Sequence, residues 1–160
     1  MAENPIEKMI RDFQDSITRG TYDGIYALDE PGLERVMECQ ADACVKAYVD
    51  LYQIPDELDL DAFLEQMKMG GSSKIEIRRD GNTIFLEELH SGRCVCPLVT
   101  REVIPLEPQL CRCAVHWLRK LFERHVRGPV RVELVDSAAL GNENCVFRVE
   151  VDDPSPPKRG

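Results

Sequence analysis

Apolar side chains recur at helical spacing over the first seventy residues and then at every second position, and this change of period divides the chain. Ile6, Met9, Ile10, Phe13 and Ile17 share one face of a helix predicted over residues 5–20 and ended by Gly20. Residues 22–27 read as irregular. Asp29, Glu30 and Pro31 then make a start signal, because acids suit the positive end of a helix and proline loses no hydrogen bond there. A long helix is predicted over 31–52. Leu33, Val36, Met37, Val45, Tyr48 and Val49 lie on its apolar side, with Glu34, Glu38, Asp42, Lys46 and Asp50 turned away. Pro55 breaks it, and Leu58, Leu60, Phe63, Leu64 and Met67 mark a third helix closed by Gly70 and Gly71.

Residues 74–79 and 83–89 alternate on either side of Asp80, Gly81 and Asn82, a hairpin signal because Asp-Gly accepts the positive φ angles of tight turns. Pro97, Pro105 and Pro108 make residues 91–108 a long connecting loop. Leu110, Ala114, Trp117, Leu118, Leu121 and Phe122 line a last helix over 109–127, stopped by Gly128 and Pro129. Residues 130–136 and 145–151 alternate again. The order predicts an α+β fold, N-terminal helices followed by β-β-α-β-β, with an antiparallel sheet covered by helices. The expected organisation is one domain over 1–151, its helical part at 5–70 and its cysteine-bearing part at 73–151, with a disordered tail at 152–160.

Composition narrows the function classes. Twenty Lys and Arg against 29 Asp and Glu give a net charge of −9, which disfavours a nucleic-acid footprint or an anionic membrane. No uncharged run approaches the ~20 residues of a membrane span, and the first residues are neither basic nor apolar, so a cytoplasmic protein is expected. Seven cysteines is an odd number, and two pairs sit as Cys-x-Cys. That pattern favours metal ligation or thiol chemistry over a disulfide framework.

Five of those thiols mark the candidate site: Cys94 and Cys96 in the loop, Cys111 and Cys113 at the start of the last helix, and Cys145 at the start of the last strand. Zinc sites draw thiolates from separate elements, and a helix N-terminus favours the thiolate form. Residues two apart in a helix point roughly 200° apart, so Cys111 and Cys113 share a metal only if the helix begins between them. Cys145, Phe147, Val149 and Val151 fall on one strand face, toward the core. Cys39 and Cys44 lie within the long helix and read as small buried hydrophobes. His90 is a candidate ligand or base, His116 a candidate pocket residue, and His125 a charge partner for the end of its helix. Cys96 with His90 is the pair to consider for a nucleophile and its base.

From about residue 92 to 151 the chain resembles a superfamily of small-ligand domains. It includes the 4-vinyl reductase domain, the sensor domains of phenol-responsive transcription activators and the vesicle-transport TRAPP subunits. The resemblance rests on Cys111 opening an aromatic-bearing helix, on Gly128, Pro129 and Val130 leading into a strand, and on Ser137, Gly141 and Cys145 before another strand. In the sensors a cysteine opens that helix and two more flank the glycine-bearing turn; with an upstream carboxylate they hold zinc beside a pocket for an aromatic ligand. Cys111 and Cys145 match, Ser137 stands where the sensors have a cysteine, and Cys94 and Cys96 could make up the deficit. The cysteine pairs also look like those of uncharacterised proteins near the family named for L-2-amino-thiazoline-4-carboxylic acid hydrolase.

The resemblance implies a cytoplasmic, zinc-stabilised domain, with iron as the alternative metal. It would bind a small apolar or aromatic molecule near His90, Phe85, His116, Trp117 and Phe147, with a homodimer or protein partner to pass on a signal. Two other readings stay open. One is a hydrolase of a thiazoline or amidine C–N bond using a metal-bound water or a Cys96 nucleophile, and the other a metal-free thiol-redox or scaffold protein.

Overall fold

The computed structural model describes residues 4–56, 58–69, 74–89 and 91–152. Helix α1 (Pro5–Tyr26) opens with Pro5 at its first position and the Asn4 side chain accepting the Ile6 N–H at 3.0 Å. It does not stop at Gly20 but runs on through Tyr26, across a segment predicted to be irregular. Gly20 and Gly24 each cost about 1 kcal/mol in a helix. Tyr22, Ile25 and Tyr26 offset that cost by packing on Val103, Ile104 and Leu110, a satellite core apart from the main one.

Helix α2 (Glu30–Tyr52) begins where the acidic signal placed it, with the Asp29 carboxylate accepting the Gly32 N–H at 3.0 Å. Helix α3 (Leu60–Met69) buries Leu60, Phe63, Leu64 and Met67. The Gly70-Gly71 stop signal lies outside the described residues. Strands β1 (Lys74–Asp80) and β2 (Thr83–Leu89) form the predicted hairpin, with Gly81 at φ 60° in its turn.

The segment read as a long loop is partly regular. Pro97 starts a one-turn helix, α4 (Pro97–Thr100), and Pro108 starts a 3₁₀ turn leading into α5 (Cys111–Glu123). Helix α5 is therefore shorter at both ends than predicted. His125 lies beyond it, and instead of pairing with the helix terminus its ring stacks on Phe63, with centroids 4.1 Å apart. Burial there holds its pKa below the ordinary histidine value.

Strands β3 (Val130–Asp136) and β4 (Cys145–Val151) complete one antiparallel sheet in the order β1-β2-β4-β3. A bulge at Leu134/Asp136 leaves Val135 facing solvent. The fold is α+β, as the change of period predicts. Ile84, Leu86, Phe147 and Val149 on one sheet face meet Leu118, Leu121 and Phe122 of α5 and Phe63 and Met67 of α3.

Helices α2 and α5 are joined by a charge ladder. Glu30 and Glu34 meet Arg112, Glu34 also meets His116 Nε2 at 2.8 Å, Glu38 meets Arg119 at 2.8 Å, and Asp42 meets Lys120 at 2.7 Å. The pairing advances in the same direction along both helices, so they run parallel. Glu34, Glu38 and Asp42, which the sequence assigns to the solvent side, therefore face α5.

Candidate functional site

The clustered cysteines divide into two groups, and the start of α5 divides them. Leu110 already has helical torsions (φ −65°, ψ −29°), so Cys111 and Cys113 both sit in the helix and point to different sides. Cys111 turns toward Cys94 and Cys145. Cys113 turns toward Cys44 on α2.

The first group comes to one end of the sheet, where two hydrogen bonds tie β2 and the loop after it to the turn before β4. The Gly92 N–H donates to the Glu143 carbonyl at 2.6 Å, and the Asn144 side-chain amide donates to Glu87 at 2.8 Å. Burial pushes the Cys94, Cys111 and Cys145 thiols above the ordinary value. Each also feels another of the three: Cys94 feels Cys145, Cys111 feels Cys94, and Cys145 feels Cys111. Local donors work the other way. The Cys96 N–H points at Cys94 Sγ from 3.4 Å, the Ser137 side chain favours the Cys111 thiolate, and the Ala138 backbone favours that of Cys145.

Glu88 completes this group. It stands opposite Cys145 in the β2–β4 register, on the face that carries Leu86 and Ile84, and its charge raises both Cys94 and Cys145. Its alternation with the buried Ile84 and Leu86 marks it as inward-facing. Ser137, where the resembling sensors carry a cysteine, is 1% exposed. Among the described residues, no three His, Cys, Asp or Glu side chains are arranged so that they could hold a metal ion.

The second group lies between α1, α2, α4 and α5. Cys44 and Cys113 interact across the α2–α5 contact, which lowers the pKa of Cys44 to about 7 and raises that of Cys113. Cys96 lies within reach of both Cys113 and Tyr22, and Tyr22 hydrogen-bonds Gln40. Cys39 and Cys44, expected to be buried hydrophobes, are exposed on α2.

The predicted pocket residues do not share one cavity. Phe147 is buried under α5, whereas Phe85 pairs with Arg148 on the opposite sheet face and carries the Arg78 guanidinium 4.8 Å from its ring centroid. His116 is buried between α2 and α5 on Glu34, with its Nδ1 3.2 Å from Arg119. Trp117 stands edge-on to Tyr48, with centroids 5.0 Å apart, beside the main core. His90 lies outside the described residues, so the Cys96–His90 pair has no described geometry. An open groove of about 430 Å³ between α2 and α5 is lined by Val45, Val49, Lys46, Asp50, Lys120 and Arg124 among others, none of them a predicted pocket residue.

Among the described residues, no helix is long and apolar enough to cross a membrane. No curated protein matches the chain. Among solved structures, the chain is similar to a trafficking protein particle complex subunit 3 from Naegleria fowleri, described as covalently bound to palmitic acid. The identity is 10% and the TM-score 0.53, over 94% of this chain and 98% of the subunit. That likeness is one of fold, and it is to the transport-subunit branch of the groups the sequence resembles. A family of unknown function (DUF6144) matches residues 35–155, and the chain belongs to that family.

Proposed function

We propose that this domain is stabilised by one zinc ion held by Cys94, Cys111, Cys145 and Glu88, and that it binds a small apolar molecule between the sheet and the helices. What supports the metal reading is that a loop, a helix start and a strand start bring three thiols to one end of the sheet, near enough to influence one another and Glu88, in an arrangement that has to tighten to hold an ion. Three soft donors and one carboxylate suit zinc in a tetrahedral site, and four protein donors leave no open position for a reacting water. Zinc there would be structural. The thiols, kept protonated by burial and by one another, would lose their protons and draw inward on binding, so the metal's affinity becomes folding energy. The transport subunit of similar fold, described as covalently bound to palmitic acid, supports an apolar chain as ligand.

Metal content of protein purified under reductant tests the metal reading. About one zinc per chain is expected, with loss of metal and a lower melting temperature in Cys94→Ser and Cys145→Ser and after chelation. Freshly prepared protein that carries no metal and gains no thermal stability from added zinc would sink it. The ligand reading is tested separately, by native mass spectrometry and by displacement of a fluorescent fatty acid. The metal-free thiol reading keeps one observation of its own, the Cys44–Cys113 contact, and the same metal measurement decides between the two.

A further inference from the structure

Helix α1 meets the rest of the chain through its polar and aromatic side. Asp15 pairs with Arg101 at 3.1 Å, Arg19 Nε donates to the Val103 carbonyl at 2.8 Å, and Tyr22 is buried. Its apolar side points the other way. Ile6 is 62% exposed, Phe13 is 66% exposed, and Met9, Ile10 and Ile17 are exposed beside them. An amphipathic helix ordinarily buries this stripe. Five side chains so exposed present on the order of 600 Å² of apolar surface, at the upper end of the largest patch on a typical monomer.

None of the described residues covers the stripe. The segments outside the described residues carry one large apolar side chain, Met1. The spacing of the stripe indicates what covers it. Ile6, Ile10, Phe13 and Ile17 follow the alternating four- and three-residue steps of a coiled-coil seam, and the same steps continue through Gly20 and Gly24. Around both glycines a Cβ would meet nothing within 4 Å, so the seam is open along the helix.

We infer that α1 is the interface between two copies of this chain, paired antiparallel about a two-fold axis between Ile10 and Phe13. The four-three-four spacing from Ile6 to Ile17 reads the same from either end. An antiparallel pair therefore sets Ile6 against Ile17 of the second copy and Ile10 against its Phe13, as a self-complementary two-fold contact requires. Two such stripes bury roughly 1,200 Å², the lower bound for a specific interface.

The test uses the full chain in gel filtration with light scattering. The expected mass is twice that of the chain, falling to one chain mass in Ile10→Glu/Phe13→Glu while circular dichroism and melting stay unchanged. Ile6→Lys/Ile17→Lys is a second variant at positions equally clear of the body, and it should also yield a folded monomer. A photo-cross-linking residue at position 13 should join the peptide around Met9 and Ile10 of another copy. A wild-type monomer, a dimer that survives both double substitutions, or cross-links from position 13 to position 13 or only to other proteins in cells overturns the proposal.

Discussion

The Cys113 thiol faces Cys44 of α2 across the α2–α5 contact, whereas Cys111, two positions back, turns to the other group. The pairing favours ionisation of Cys44 and opposes that of Cys113. Because Cys44 is also exposed, it should be the first thiol alkylated by iodoacetamide near neutral pH, ahead of Cys94, Cys111 and Cys145, which burial keeps protonated. Peptide mapping at low reagent checks the order. In Cys113→Ala the Cys44 rate should fall on the order of tenfold, since each pKa unit regained removes about that much thiolate.

Phe63 and Phe85 separate the two faces of the sheet. Phe63 is fully buried, edge-on to Phe122 with centroids 5.2 Å apart and stacked on His125. Phe63→Ala should cost about 3–5 kcal/mol in denaturant unfolding. Phe85→Ala, on the outer face under Arg78, should cost about 1 kcal/mol. Equal costs would mean that Phe85 is covered by something in solution.

Gly128 admits no side chain. A Cβ there would lie 1.9 Å from the Asp152 carbonyl oxygen, next to the bond from the Asp152 N–H to the Pro129 carbonyl at 3.2 Å. Gly128→Ala must push the two segments apart and should cost about 1–3 kcal/mol. A variant that melts with the wild type would show that these segments separate freely.

Alkaline pH should unfold the protein through its buried phenols. Burial pushes Tyr22, Tyr26 and Tyr48 each up to about 12 from the ordinary 10.0. The fold accepts the neutral phenol, so their folded values exceed the unfolded ones. The stability they confer is complete below pH 10 and is lost as pH rises from 10 through 12. Phenolate absorbance should rise together with loss of helix in that window, while Tyr48→Phe should retain more helix at its upper end.

The strands were legible in the sequence because strict alternation of apolar positions leaves one face for the core, and β1 to β4 fall where residues 74–89 and 130–151 place them. Helix α1 was misjudged at Gly20 because local propensity weighs against two glycines, whereas contacts of Tyr22 and Tyr26 with Val103 and Ile104 decide the matter from far along the chain. The proline-rich segment hid α4 because proline at a first helical position looks the same as proline in a loop. At the site, the facing of Cys145 followed from its period, but the division between Cys111 and Cys113 needed the helix start to a single residue. Cys44 as the partner of Cys113 left no local signal, since the contact joins α2 to α5.

Strand β4 sits between β2 and β3 and supplies both with hydrogen-bond partners, although it comes after both of them in sequence. During synthesis the hairpin and β3 must therefore wait on the ribosome as separate pieces, each with a bare edge, until Cys145–Val151 has emerged to slot between them. A nascent chain stalled near residue 144 would present two unpaired edges to its neighbours.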